Sequence, residues 1–333
     1  MENRITVYSP LRVSFSGGGT DIEPFVDLYG SKLVNTTIDR GVTVTYIDDG
    51  LGLEVSSRDH LKTMVSNIHT KRGMPFLILR LMENSGIHTG RVIIKSDVPP
   101  GSGLGSSSAL ITAIVKLINE IKGSQLTPTD LGKASFELEK DFFGITLGKQ
   151  DPFAISIGGF KYMEIKGDSV FVSKFNTPSD FIHEIERNSL LVYTGRTRES
   201  SRVLMDQVNR MQRDGNDIVK HLKAIRDLSP RIKKAIESAD IGEFSDVINE
   251  GWKIKKSMNE NASNRHVDDI IERAMNSGAV AARLLGGGSQ GFVYLLSMDG
   301  KIMELQRTML EHSNFVIRLS FDGNGTRLLS KNY

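Results

Sequence analysis

The chain of 333 residues contains no cysteine. That excludes disulfides, thiolate metal sites and a cysteine nucleophile, and it fits a reducing compartment. Its seven histidines show no His-Glu-x-x-His or comparable spacing, so no zinc site is expected. The net charge of +2 leaves no surplus of either sign for gripping nucleic acid or an anionic membrane. Long apolar runs are missing too. None reaches the roughly 18 residues of a membrane-crossing helix, and Met1-Glu2-Asn3-Arg4 leads into no apolar targeting stretch. The expectation is a cytoplasmic monomer or homodimer that handles a small molecule, with no nucleic-acid or membrane partner. Glutamine is sparse at six, which together with the missing cysteine leans toward a thermophile's composition, although Asn and Met are not scarce. With 25% charged and 39% hydrophobic residues the chain reads as ordinary globular protein, long enough for two domains.

What the chain has in quantity is glycine, in three clusters. The most informative is Val98-Pro-Pro-Gly-Ser-Gly-Leu-Gly-Ser-Ser-Ser-Ala-Leu110, between a β-like run, Arg91 to Lys95, and a helical one, Ala109 to Ile121. A glycine-serine loop that opens a helix aims backbone N–H groups and the positive end of the helix dipole at one spot, which suits a phosphate. The glycines let the backbone approach it, and the serine hydroxyls can bond oxygens or hold Mg²⁺. Pro100, Gly101, Ser102, Gly103, Leu104, Gly105, Ser106, Ser107 and Ser108 are therefore the candidate ATP-phosphate cradle. The loop lacks the Lys-Ser/Thr ending of the common P-loop and the Gly-x-Gly-x-x-Gly of dinucleotide folds. Gly101-Ser-Gly103 is out of frame for the Gly-x-Ser-x-Gly elbow of a serine hydrolase. The other clusters, Ser16-Gly-Gly-Gly-Thr-Asp21 and Leu284-Leu-Gly-Gly-Gly-Ser-Gln-Gly-Phe292, also adjoin strand-like runs. Three such clusters suggest one site assembled from distant segments.

In this order and at these distances the clusters resemble the three motifs of the GHMP kinases, the family of galactokinase, homoserine kinase, mevalonate kinase and phosphomevalonate kinase. Within it the heptose 7-phosphate kinases have similar segments. Pro10 to Asp21 resembles their opening, Gly148 to Asp151 their Gly-Lys-Gln-Asp, Tyr193 to Arg198 their Tyr-Thr-Gly-x-x-Arg, and Trp252, Lys255 and Lys256 their Trp-x-x-Lys-Lys. One departure is Pro152-Phe153, where that branch usually continues with Gln and an aromatic residue. The resemblance implies an α+β, two-domain fold with an N-terminal domain like ribosomal protein S5 domain 2 and a ferredoxin-like C-terminal domain. The boundary is expected near residue 180, giving units 1–180 and 181–333 with the site between them.

The pattern of elements agrees with α+β. Strands are expected over Thr6–Val13, Gly41–Ile47, Arg91–Lys95, Ser189–Tyr193, Gly291–Leu296 and Asn314–Ser320. A hairpin is expected across Gly167-Asp168. Helices are expected over Phe76–Met82, Ala109–Ile121, Leu131–Phe142 and Lys301–His312, and over most of 200–275, with breaks at Ser229-Pro230 and Asp240-Ile-Gly242.

The resemblance also assigns roles. An ATP- and Mg²⁺-dependent kinase needs positioning and charge neutralisation more than covalent chemistry. Asp151, read as lying in a loop, is expected to be the general base, with Arg12 beside it to steady the transferring phosphoryl group. Ser108 and Glu139 are the expected Mg²⁺ ligands, preferred over Glu137 on another helix face. Gly18, Gly19, Thr20 and Asp21 are expected to bind the acceptor, with a helix N-cap as the competing reading of Asp21. Thr194, Arg196, Arg198, Gly287 and Gly288 complete the candidate acceptor site. Lys255 and Lys256 read as a charged helix face.

The acceptor is expected to be the alcohol of an anionic, already phosphorylated metabolite. The composition tips the choice to mevalonate 3-phosphate, phosphorylated at its 5-position in archaeal isoprenoid synthesis. The alternatives are a heptose 7-phosphate phosphorylated at C1, or a related sugar. A non-catalytic metabolite sensor on the same fold and the decarboxylase branch of the family are further readings.

Overall fold

Alternation of β-branched residues carries further than the local pattern suggested. In the computed structural model, which describes residues 3–58, 62–65, 73–143, 147–195, 200–213, 215–258 and 260–332, the first strand β1 runs Asn3–Ser16. After a short helix α1 (Phe25–Tyr29), β2 (Ser31–Gly52) spans 22 residues, well beyond the expected Gly41–Ile47. Then come β3 (Glu54–Ser57), β4 (Lys62–Val65), α2 (Met74–Asn84) and β5 (Thr89–Ser96). Helices α3 (Ser106–Ile121), α4 (Pro128–Phe143) and α5 (Gln150–Ile157) follow, and the hairpin β6 (Lys161–Lys166) and β7 (Ser169–Lys174) turns at Gly167-Asp168 as expected.

The second half contains α6 (Ser179–Asn188), β8 (Ser189–Tyr193), α7 (Ser200–Arg213), α8 (Gly215–Glu237), α9 (Ile241–Met258) and α10 (Arg265–Asn276). It closes with β9 (Ala279–Leu284), β10 (Phe292–Ser297), α11 (Ile302–Leu310), β11 (Val316–Arg318), β12 (Phe321–Asp322) and β13 (Arg327–Asn332). Pro230 does not break a helix: α8 runs through it. Its neighbour Ser229 donates to Lys32 O at 2.7 Å and lies 2.8 Å from Ser16 Oγ, so tertiary bonds hold the turn that lacks a proline N–H.

Two sheets result. The first has the order β13-β1-β2-β5-β3-β4, with β6, β7 and β12 attached through β2. The length of β2 explains this, since its start pairs with β6 and its middle with β5. The second sheet has the order β11-β8-β10-β9, an antiparallel 4-1-3-2 arrangement of the ferredoxin-like kind. Strands thus divide on either side of residue 180, but β12 and β13 return to the first sheet and β13 covers the edge of β1. The division 1–180 and 181–333 is therefore a proposal amended at its end: 321–332 belongs with the first unit. No helix among the described residues is long and apolar enough to cross a membrane.

One hydrophobic cluster joins the units. Phe15 at the end of β1 meets Phe244 of α9 and Tyr294 of β10 edge-on, with ring centroids 5.2 and 5.8 Å apart. Helix α3 presents Ala109, Ala113, Ile114 and Leu117 to that core, and Ile111 and Val115 to Leu131 of α4. The first glycine cluster begins one residue after Phe15, so the seam that fixes the two units also fixes the site.

Candidate active site

The glycine-serine loop ends at Gly105, in the left-handed region (φ 76°), and no side chain caps the helix that starts after it. The N–H groups of the first turn of α3 are thus left for an outside acceptor, which fits the expected phosphate cradle. A Cβ on Gly105 would lie 3.3 Å from both Arg12 Cγ and Asp151 Oδ2. Glycine here lets the loop pass against the charged pair. Not every loop residue offers a donor. Pro100 is exposed and has no N–H, Leu104 is a buried apolar anchor whose carbonyl accepts the Arg12 N–H at 3.0 Å, and Ser107 is exposed. Ser102 is buried, and its hydroxyl has no partner among the described residues.

Arg12 and Asp151 come together from 139 positions apart. Arg12 Nε and Nη2 donate to the two carboxylate oxygens at 2.7 Å each, a bidentate pair, while Nη1 donates to Gly103 O at 2.6 Å. Asp151 lies in the first turn of α5, not in a loop as expected, because the helix begins at Gln150. Gln150 Nε2 donates to Asp151 Oδ1 at 3.2 Å and its Oε1 accepts from Ser14 Oγ at 2.8 Å. This supporting chain was not read from the sequence.

Glu139 is 3% exposed, whereas Glu137 faces solvent. One carboxylate oxygen, Oε1, is buried without a partner among the described residues, and the Ser108 hydroxyl bonds the group. Burial above all, with the negative Asp151 nearby, pushes its pKa up to about 8, against the lowering effect of the Ser108 bond. A buried carboxylate oxygen with nothing to bind, next to a serine hydroxyl at the loop, is a donor set that fits a hard divalent cation. No group of three or more His, Cys, Asp or Glu side chains able to hold a metal occurs among the described residues. Such a cation would draw its remaining ligands from phosphate and water, as Mg²⁺ does.

The candidate acceptor residues divide. Asp21 does not cap a helix, since α1 starts after Pro24 with no side-chain cap. Its Oδ2 accepts the Gln150 N–H at 2.9 Å, and a side chain at Gly148 would collide with it. Burial and the nearby Asp151 raise its pKa. Asp21 therefore ties the first glycine cluster to the turn that carries Asp151. The Thr20 hydroxyl is spent inside the protein, 2.7 Å from Gly17 O and 2.6 Å from Ser31 Oγ. Gly18 lies open, with Ser14 Oγ 3.7 Å from where a Cβ would be, and Gly19 O accepts from Gln207 of α7 at 2.8 Å. Thr194 is buried, and its hydroxyl accepts the Gly291 N–H at 3.1 Å. Arg196 and Arg198 lie outside the described residues.

The third cluster packs on the loop. Phe292 N donates to Ser102 O at 3.0 Å, and a Cβ on Gly286 would sit 2.5 Å from Gly103 Cα. Gly288 lies instead against Ala262, where a Cβ would come within 3.2 Å, and Gly287 is partly exposed. Two cations join this contact. Lys255, expected on a charged helix face, donates to Gly286 O, and Arg283 Nη1 donates to Phe15 O at 2.6 Å. Burial, with repulsion from Arg283 and Arg12, holds Lys255 down to about 7, and burial with repulsion from Arg12 holds Arg283 down to about 10. An arginine inside the apolar strand Val280-Ala-Ala-Arg283-Leu-Leu285 was the available signal for the second.

Comparison with known proteins agrees with this geometry. The model of the GHMP kinases N terminal domain matches residues 60–159, and that of the GHMP kinases C terminal domain matches 232–312. A D-glycero-alpha-D-manno-heptose 7-phosphate kinase of Campylobacter jejuni is 27% identical, covering 97% of this chain and 98% of its own length. A mevalonate kinase of Thermococcus sibiricus is 23% identical, over 78% of this chain and 73% of its own. Among solved structures, a D-glycero-D-manno-heptose 1-phosphate kinase from Bacteroides thetaiotaomicron superposes with TM-score 0.79 at 23% identity, covering 98% of this chain and 99% of that one. At that identity the likeness shows the fold alone.

Proposed function

This chain belongs to the GHMP kinase family and is an ATP-dependent phosphotransferase with an alcohol group as acceptor; on that premise we propose that the acceptor is a sugar phosphate, with a heptose 7-phosphate the best-supported choice. The observation that carries the choice is the near full-length match, end to end in both chains, to the Campylobacter heptose 7-phosphate kinase. The expectation of mevalonate 3-phosphate, and with it isoprenoid synthesis, is corrected. The mevalonate kinase relative matches less of either chain at lower identity, and the composition that tipped the choice concerns no atom of the site.

Asp151 faces the acceptor hydroxyl and takes its proton as the new bond to phosphorus forms and the bond from phosphorus to the ADP oxygen breaks. Arg12 holds that carboxylate by two bonds and, through Gly103, holds the phosphate loop in register with it. The backbone of 101–108 binds the triphosphate. Ser108 and Glu139 would hold Mg²⁺, which neutralises charge on the phosphates when bound. Asp21 positions the Gly148–Asp151 turn, and Gly18 leaves room beside it for the acceptor.

The test is ADP release with Mg-ATP against heptose 7-phosphate, free galactose, free fucose, mevalonate and mevalonate 3-phosphate. Turnover restricted to the phosphorylated heptose supports the reading. Preference for either mevalonate compound would overturn it, and silence on every acceptor would favour a sensor on this fold.

A further inference from the structure

Around the contact between Gly103 and Gly286 the charges do not balance. Arg12 has Asp151. Among the described residues neither Lys255 nor Arg283 has a carboxylate partner; their recorded hydrogen bonds go to the carbonyls of Gly286 and Phe15. Of these three cations only Arg12 is ion-paired with a carboxylate.

The fold brings these side chains together deliberately enough to localise them. Arg283 leaves β9 three residues before Gly286, and a Cβ on Gly251 of α9 would lie 4.0 Å from its Nη1. Lys255 is four residues further along that helix, on the same face. Glycine at 251 thus lets the guanidinium lie under the helix while the lysine reaches over the third glycine cluster. Arg283 is 7% exposed, and its Nε has no partner among the described residues. A guanidinium that keeps a buried donor unspent, beside an ammonium using one of its three donors, has the bonding capacity an oxyanion would fill.

Location selects the anion. Arg12 touches both the proposed base and Gly103 of the phosphate loop, and Gly286, which carries the Lys255 bond, packs on Gly103. The unbalanced charge therefore lies where the loop meets the reacting hydroxyl. The phosphate that a heptose 7-phosphate already carries is six carbons away from C1.

We propose that Lys255 and Arg283, contributed by the second unit, form a seat for the phosphoryl group being transferred, and so complete from the far side of the seam the neutralisation that Arg12 begins. The proposal rests on the phosphotransferase reading and not on which sugar is the acceptor. The seat also gives a reason for the third glycine cluster to press on the second: the contact carries the Lys255 ammonium to the point of transfer.

The test is calorimetric titration of the whole protein with inorganic phosphate, with saturating Mg-ADP present to occupy the loop, on wild type and on Lys255→Met, Lys255→Arg and Arg283→Lys. Loss of one charge-assisted bond predicts about 10- to 100-fold weaker phosphate binding in Lys255→Met. Lys255→Arg, which keeps the charge, should recover most of it, and the fluorescence of Trp252, the only tryptophan, three residues from Lys255, should respond to phosphate in wild type. In steady state, Lys255→Met should lower kcat by a similar factor for every acceptor that turns over, with each KM within about threefold of wild type. Unchanged phosphate affinity in a folded Lys255→Met overturns the proposal. So does a raised acceptor KM at unchanged kcat, which would make the cluster the site of the acceptor's own phosphate. Should Lys255→Met not fold, the same titration on Lys255→Arg and Arg283→Lys decides: weakened phosphate binding in Arg283→Lys supports the seat, and wild-type binding there removes it. A protein that binds phosphate through Lys255 yet turns over no sugar phosphate keeps the seat and loses only the acceptor.

Discussion

The two sides of the seam hold their cations in opposite ways. On the first unit, Arg12 is met atom for atom by Asp151 and a loop carbonyl; on the second, Lys255 and Arg283 have carbonyls only and lie in the field of Arg12. A paired guanidinium stabilises the protein whether or not substrate is present. Unpaired, partly buried cations cost stability until an anion arrives. The difference separates groups that hold the site's shape from groups that wait for its ligand.

Substitutions on each side should therefore move stability and activity in different combinations. The largest effect is expected from Arg12→Met, which strands the Asp151 carboxylate in a partly buried place. Unfolding by urea should show a loss of roughly 3–5 kcal/mol, and kcat should fall about 10²- to 10³-fold. Lys255→Met should lose activity without losing stability, and a melting temperature well below wild type would erase the contrast. Next comes Glu139→Gln, which keeps the shape but not the charge. A magnesium titration of activity should need at least about tenfold more metal for half effect, and an unchanged titration would remove Glu139 from the metal site.

Smaller effects come from the glycine contact itself. In Gly103→Ala the new methyl would lie 2.7 Å from Leu285 O in a backbone with φ 80°, so a loss of about 1–3 kcal/mol is expected by thermal unfolding. A further effect concerns pH. Lys255 is held at about 7 by burial and by Arg283 and Arg12, against 10.5 in an unfolded chain. Between those values the unfolded chain binds the additional proton, so wild type should gain stability relative to Lys255→Met as pH rises from about 7 toward 10. A difference that is flat or falls across that window would show the ammonium to be compensated.

How much of this was legible beforehand follows from the physics of each element. The phosphate loop could be read because only glycine tolerates left-handed backbone packed against other chain, and because a run of serines opening an apolar helix is a local signal. Glu139 came from the resemblance, and helix face only set it apart from Glu137. The Arg12–Asp151 pair came from resemblance, since nothing local links residues 139 apart. What escaped depended on long-range pairing. The strands β12 and β13 are short and ordinary until β1 and β2 supply their partners. Pro230 continues α8 because Ser229 is bonded to the first unit. Asp21 read as an acceptor-binding residue, with a cap as the competing reading, because its partner, the Gln150 N–H, is 129 positions away. Lys255 shares its sequence pattern with any solvated helix lysine, and only the approach of Gly286 distinguishes it.

ADP release from Mg-ATP with heptose 7-phosphate as acceptor, measured on wild type and on Asp151→Asn, decides whether this chain phosphorylates a sugar phosphate through Asp151. Turnover by wild type that falls about 10²- to 10⁴-fold in the variant, with the KM for ATP little changed, is the predicted result. Equal turnover by the two proteins would contradict Asp151 as the base, and no turnover by wild type with this acceptor would contradict the sugar-phosphate reading.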